Sequence, residues 1–182
     1  MKLRILAAMA AFATLAAGAA SAAILTFDDL TGGVSFSNGS ELDYNGFTFS
    51  GSARNYVWYA NSPNSNGTTN LIGGYSSTLT IARSDGGLFN FTGADLAISW
   101  YNANPAQSII INGVSIGLTQ TLTSLDFSFF GVDSISIVGF RNGYWTGDNF
   151  RLSAVPVPAS LPLLAAGLVG LRIVARRKRK AA

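Results

Sequence analysis

Residues 108–117 read SIIINGVSIG and contain the strongest fold signal in the chain. Asn112 and Gly113 stand between two short apolar runs. Two-residue Asn-Gly loops favour a type I′ turn, whose backbone twist matches that of two paired strands. The stretch therefore predicts a β-hairpin with strands at residues 108–111 and 114–117.

The same pattern of strand-forming runs separated by turn residues extends over residues 23–154, where short aromatic and β-branched runs alternate with Gly and Asn. Further strands are predicted at residues 23–27, 46–50, 55–59, 77–82, 88–92, 94–101, 119–130, 134–140 and 150–154. Asp85-Gly86-Gly87 predicts a second hairpin, and the polar residues 60–69 predict a long exposed loop. About ten or eleven strands without a helical period predict an all-β fold, a two-sheet antiparallel sandwich that is jelly-roll-like.

Residues 1–22 have the pattern of a secretory signal peptide. Lys2 and Arg4 precede an apolar stretch, which ends in Ala20-Ser21-Ala22. This A-x-A sequence predicts cleavage before Ala23, and an uncleaved N-terminal anchor is the alternative. Residues 23–154 are then expected to form one exported domain.

Residues 155–182 contain three segments in a fixed order. The first is the motif Val155, Pro156, Val157, Pro158 and Ala159. Its prolines predict an extended, accessible backbone. Residues 159–175 then predict a transmembrane helix of 17 residues, which is about 25 Å long and at the short end of what spans a bilayer. The third segment is a basic cluster that predicts a stop-transfer signal with a cytoplasmic tail. Its members are Arg176, Arg177, Lys178, Arg179 and Lys180.

This order of motif, helix and basic cluster resembles the PEP-CTERM protein-sorting signals of Gram-negative bacteria, in their V-P-L-P-A variant. Val157 stands where the family has Leu, and Arg172 interrupts the apolar run early. The resemblance implies handling by an exosortase-type membrane peptidase, cleavage near the motif, and release or attachment at the cell surface. The alternative is an ordinary single-pass anchor with a proline-containing linker.

The two terminal segments account for the basic character of the chain. The whole chain has a formal net charge of +3, whereas residues 23–154 contain four arginines and all nine acidic residues, a net charge of −5. An acidic domain without a basic patch is a poor partner for phosphates. We therefore expect no nucleic-acid partner.

The chain contains no Cys and no His. A fold without disulfides must rest on packing and strand pairing. The same absence excludes thiolate nucleophiles, imidazole bases, the usual zinc ligands and Ser-His-Asp triads. We therefore expect a non-enzymatic protein, with a glycan hydrolase that pairs Glu41 with an aspartate as the outside alternative.

Each tryptophan has a tyrosine beside it. The pairs are Trp58 with Tyr59, Trp100 with Tyr101, and Tyr144 with Trp145. Neighbours in a strand point to opposite faces, so each pair predicts one ring in the core and one at the surface. An exposed ring can stack against a sugar face, whereas filling of the core is the alternative. Tyr144 and Trp145 follow an Asn-Gly turn and are expected to be the most exposed.

Four polar side chains are candidate ligands for Ca²⁺, the one cofactor that the sequence suggests. Asp28 and Asp29 end the first predicted strand, and Asp148 and Asn149 begin the last. The terminal strands of a sandwich are often neighbours, so these oxygens can converge on one hard cation. The alternative is that the aspartates cap turns and keep the strand edges charged.

These patterns predict an exported cell-surface or extracellular-matrix protein with a structural or carbohydrate-binding domain. The expected partners are signal peptidase, an exosortase-type membrane peptidase and polysaccharide. The inner membrane is expected to hold the chain only during sorting. A permanently anchored single-pass membrane protein with a periplasmic-facing domain is the main alternative.

Overall fold

The computed structural model describes residues 22–30, 33–36, 40–52, 55–58, 64, 66–99, 107–156, 167 and 172. The chain divides into two compact units, and every strand lies in the unit Ser21–Val155. The predicted signal peptide, nearly all of the predicted transmembrane helix and the basic cluster lie outside the described residues. Within those residues, no helix has the length and apolar character needed to cross a membrane.

Thirteen strands form two antiparallel sheets in the described part of the chain. In chain order they are β1 (Ala22–Leu25), β2 (Val34–Phe36), β3 (Glu41–Tyr44), β4 (Phe47–Gly51), β5 (Asn55–Trp58), β6 (Asn70–Gly74), β7 (Thr78–Arg83), β8 (Phe89–Ile98), β9 (Gln107–Ile111), β10 (Val114–Leu118), β11 (Thr123–Val132), β12 (Ser134–Val138) and β13 (Tyr144–Ala154). The larger sheet has the order β11-β8-β13-β6-β5-β2, with β1 also paired to β13. The smaller sheet has the order β10-β9-β12-β7-β4-β3. This confirms the prediction of an all-β fold with two antiparallel sheets.

The core lies between the sheets, where alternate side chains of each strand point inward. Phe27, Phe49 and Phe150 are fully buried, and the ring of Phe27 meets the other two at 5.5 and 5.8 Å between centroids. Edge-to-face pairs at these distances are favourable. Packed aromatic rings thus form the centre of the core, as expected for a chain that has no disulfides to stabilise it.

The Asn112–Gly113 hairpin is confirmed. Ile111 pairs with Val114, and the two turn residues have φ of 45° and 83°. A second hairpin of the same kind, which the sequence reading missed, joins β3 to β4 through Asn45 (φ 49°) and Gly46 (φ 81°). Positive φ at both central residues is the signature of the type I′ turn.

The predicted hairpin at Asp85-Gly86-Gly87 is wrong. The strand before it, β7, lies in the smaller sheet, and the strand after it, β8, lies in the larger one. No hydrogen-bond ladder pairs β7 with β8. Side-chain contacts support the turn, because Arg83 pairs with Asp85 and donates to the carbonyl of Leu88. The glycines therefore turn the chain from one sheet to the other.

The two strands predicted at residues 88–92 and 94–101 correspond to a single strand, β8, from Phe89 to Ile98. Gly93, which lies between the two predicted strands, is inside it. A side chain at Gly93 would lie 1.9 Å from the Arg151 guanidinium and 2.4 Å from the carbonyl of Leu125. The glycine therefore keeps the strand continuous while Arg151 crosses over it.

The last strand, β13, organises the larger sheet. It pairs with β8 on one side and with β6 and then β1 on the other. The expectation that the terminal strands are neighbours is confirmed, since Ala22 lies opposite Ser153. The strand begins at Tyr144, however, and not at residue 150, so Asp148 and Asn149 lie in its middle.

The sandwich therefore has two distinct ends. The terminal end is where β1 begins and β13 stops, and it contains both Asn-Gly turns. The far end contains the turn Gly74–Ser77 between β6 and β7 and the connection 139–143 between β12 and β13.

Candidate functional site

Asp148 lies at an irregularity in the middle of β13. The register with β8 shifts between Asp148 and Arg151, and Asn149 has a φ of 51°. Trp145 and Phe150 belong to the core, so Asp148 points to the outer face of the larger sheet. It is nevertheless only 1% exposed.

The loop between β5 and β6 contributes to this burial. Asn66 Nδ2 donates to Asp148 Oδ2 at 2.9 Å, and Thr68 Oγ1 lies 3.2 Å from the same oxygen. Asn64 Nδ2 donates to the carbonyl of Ile98 in β8 at 2.6 Å. The loop is therefore exposed at Asn64 and Asn66, as predicted, but it is anchored across β13 to β8.

Burial raises the pKa of the Asp148 carboxyl above its ordinary value. The hydrogen bonds from Asn149 N, Asn66 and Thr68 lower this pKa, whereas the nearby charge of Asp28 raises it, and burial dominates. A buried carboxyl that is costly to ionise holds its proton more tightly in the folded state.

The four predicted Ca²⁺ ligands are only partly brought together. Asp28 is close enough to influence Asp148 electrostatically. Asp29 accepts a hydrogen bond from the hydroxyl of Tyr44, and Asn149 Nδ2 donates to Asp95 Oδ2 at 2.8 Å. Among the described residues, no group of three or more Asp, Glu, His or Cys side chains could hold a metal ion. The Asp148 oxygens instead accept from Asn149 N, Asn66 and Thr68.

Asp95 lies opposite Asp148 in the ladder and joins a separate polar group. Arg151 reaches Asp95 at 3.7 Å and Asp126 at 2.9 Å, and it also donates to the carbonyl of Leu125. Arg151 therefore ties β13 to β8 and β11 on the outer face. An arginine that satisfies several acceptors at once stabilises this arrangement more than a single exposed pair does.

The expectation that Trp145 is exposed is wrong, because its side chain is 1% exposed and belongs to the core. Three glycines make the space for its ring. A Cβ at Gly73, Gly139 or Gly147 would lie 2.4, 3.3 or 3.1 Å from the indole. The residue that follows an Asn-Gly turn was assumed to stay at the surface, whereas here the strand begins immediately and directs it inward.

Tyr144 is half-buried at the far end and contacts a tyrosine that the sequence reading did not select. The rings of Tyr75 and Tyr144 lie 4.8 Å apart at an interplanar angle of 80°. Tyr75 is 41% exposed. Nothing in the sequence GGYSS marks Tyr75 for function, so only the folded structure could reveal this pair.

The remaining candidates are only partly described. Trp58 ends β5, and Tyr59, Trp100 and Tyr101 lie outside the described residues. Of the sorting motif, Val155 donates its N–H to the carbonyl of Leu88, and Pro156 is exposed. The rest of the motif, like the basic cluster, falls outside the description.

Two features stand out among the described residues. One is the buried carboxyl of Asp148 beneath the loop between β5 and β6, and the other is the pair of Tyr75 and Tyr144 at the far end. The first holds strands together, and the second can contact a ligand. No protein-family model matches the chain, and no curated protein sequence matches it either.

Proposed function

We propose that residues 23–154 form an exported, non-enzymatic domain with a structural or carbohydrate-binding role at the cell surface or in the extracellular matrix. A signal peptide delivers it, and the tail that resembles a PEP-CTERM signal holds it in the inner membrane until an exosortase-type peptidase acts. The mature domain then interacts with polysaccharide.

One observation carries this proposal: Ala22 and Ser153 lie opposite each other in neighbouring strands. Both terminal segments therefore leave the domain at the terminal end. The far end of the domain contains neither attachment point, which is compatible with a display or binding role. Cleavage before Ala23 removes only the first residue of β1, and removal of the tail after residue 154 removes no strand residue.

The position of the motif supports processing directly beside the domain. β13 stops at Ala154, Val155 still bonds to Leu88, and the exposed Pro156 follows. Proline lacks a backbone donor and cannot continue the ladder, so the strand ends where the motif begins. The motif therefore begins immediately after the last strand of the domain.

Mass spectrometry of the protein recovered from outside the cell tests this proposal. We expect a fragment that starts at Ala23 and lacks Arg179 and Lys180. Replacing Pro156 and Pro158 with alanine is expected to leave the tail attached. An extracellular form that keeps Lys180 would contradict sorting and favour the permanently anchored alternative.

A glycan hydrolase is the less favoured alternative. Asp148 and Asp95 face each other across two strands, and Asp148 has the raised pKa of a general acid. Its burial and its three hydrogen-bonding partners, however, keep it from contacting a substrate. Release of reducing sugar from polysaccharide that is lost in Asp148→Asn would support this alternative over ours.

We further assign the sandwich to the jelly-roll-like class. The support is that most successive strands lie in opposite sheets, so the chain winds around the core. Ca²⁺ at Asp28, Asp29, Asp148 and Asn149 stays a proposal, which requires Asn149 to leave Asp95. A calcium-dependent rise in Tm that is absent in Asp148→Asn tests it.

A further inference from the structure

The turn Gly74–Ser77 has the same backbone shape as the two Asn-Gly hairpin turns but different residues. Its central residues Tyr75 and Ser76 have φ of 34° and 56°, and Ser77 N donates to the carbonyl of Gly74 at 2.7 Å. A left-handed backbone costs an ordinary residue about 1–2 kcal/mol. The fold uses Asn-Gly for this shape at residues 45–46 and 112–113, so folding alone does not require tyrosine here.

The turn is held rigidly at the far end. Tyr75 N and Ser76 N donate to the carbonyls of Gly143 and Phe140, each at 2.9 Å. Ser77 Oγ accepts from Gly74 N and bonds to the buried Asn55. The turn is thus joined to the neighbouring connection between β12 and β13, which fixes the backbone of Tyr75. Backbone strain that the surroundings maintain is characteristic of functional sites.

The two tyrosine rings form a corner. The rings are nearly perpendicular, and the exposed part of the Tyr75 ring can offer an apolar surface to a ligand. Ser99 adjoins this corner, since its N–H donates to the carbonyl of Tyr144. Its hydroxyl is buried and has no hydrogen-bond partner within the part of the chain that the structure describes.

We infer that Tyr75 and Tyr144 form a binding site for a neutral polysaccharide, in which a pyranose ring stacks on one tyrosine. This inference rests on the carbohydrate-binding branch of the proposed function and deepens it by naming the residues and the ligand class. The aromatic faces select the apolar face of a sugar with equatorial hydroxyls, as in β-linked glucose or N-acetylglucosamine. Stacking on an aromatic face needs no charge on the ligand, so a neutral sugar satisfies the site.

The experiment uses the full chain in lipid nanodiscs and titrates it with cellohexaose, chitohexaose and an acidic oligouronate by calorimetry. We expect binding of at least one neutral hexasaccharide and none of the oligouronate. The test variant carries Tyr75→Asn and Ser76→Gly, which replace the turn with the sequence found at residues 45–46. We expect its affinity to fall about tenfold or more, which is about 1.4 kcal/mol.

The double variant is designed to fold, because Asn-Gly is the preferred sequence for this turn. Phe130→Ala is the matched control, since Phe130 is a 64% exposed aromatic residue outside the far end. The inference is overturned if neither neutral hexasaccharide binds, if the double variant binds as well as the native chain, or if Phe130→Ala weakens binding equally. The outcome is independent of tail processing, which mass spectrometry reads separately.

Discussion

The two ends of the sandwich build similar turns from different residues. At the terminal end, Asn45–Gly46 and Asn112–Gly113 use the residues that tolerate a left-handed backbone best. At the far end, Tyr75–Ser76 adopts that backbone with residues that avoid it. The difference teaches that the hairpin turns of the terminal end form without backbone strain, whereas the exposed turn of the far end carries strain that Asn-Gly would relieve.

The largest expected effect is at the base of the far end. Trp145→Ala removes a ring that fills the space above Gly73, Gly139 and Gly147. We expect the free energy of unfolding to fall by about 3–5 kcal/mol, as for other buried aromatic residues. Urea denaturation followed by circular dichroism measures it, with Phe130→Ala expected to change it by less than about 0.5 kcal/mol. A small loss at Trp145 would mean that the far end is not packed as described.

The terminal end can be weakened at one glycine. Gly113→Ala meets no atom within 4 Å, so its cost comes only from the φ of 83°. We expect a loss of about 1–2 kcal/mol in urea denaturation. Gly117→Ala is the control, because it also has open space but no left-handed backbone. Equal effects at both glycines would remove the comparison between the two ends.

The far end can be strengthened by the opposite change. Ser76→Gly removes the backbone strain of a serine in the left-handed region. We expect the free energy of unfolding, measured by urea denaturation, to rise by about 0.5–1 kcal/mol. Ser136→Gly, in the extended strand β12, is the control and is expected to lose about 0.5–1 kcal/mol. If Ser76→Gly is destabilising, the strain at this turn has been misjudged and the argument for function at Tyr75 loses its basis.

The last expected effect is a dependence of stability on pH at Asp148, between the two ends. Its pKa is raised from the ordinary 3.8, so the folded state binds the proton more tightly than the unfolded chain does. This contribution to stability is fully present below pH 3.8 and is lost as the pH rises through the folded pKa. We expect the native chain to lose stability relative to Asp148→Asn over that window, by at most about 1.4 kcal/mol per pH unit. Urea denaturation between pH 3.5 and 7 measures the difference, and an increase with pH would contradict the assignment.

Some features of the fold could be predicted because their signals are local. Asn112–Gly113 determines its own turn, and the alternation of Ile135 and Ile137 directs both inward regardless of distant residues. The error at Gly93 had a nonlocal cause, since its role depends on Arg151, which lies far away in the sequence. The error at residues 85–87 is of the same kind, because a glycine turn does not specify whether the next strand joins the same sheet.

The candidate sites depended even more on distant contacts. Asp148 was selected as a candidate Ca²⁺ ligand, whereas its partners Asn66 and Thr68 in the structure come from a distant loop that the sequence did not connect with it. Trp145 was expected at the surface because the three glycines that bury it are distant or unremarkable in the sequence. Tyr75 became visible only through its φ and its contact with Tyr144. The sequence thus indicated candidate side chains, but it did not indicate which distant residues surround them in the fold.

The pairing of β1 with β13 sets the order of folding events. β13 lies between β8 and β6, so the middle of the larger sheet has no ladder until the last residues of the domain are free to join it. Contacts between residues so far apart in sequence make folding slow, because a long loop must close first. A chain with this topology therefore cannot complete its larger sheet until the last strand of the domain has been synthesised.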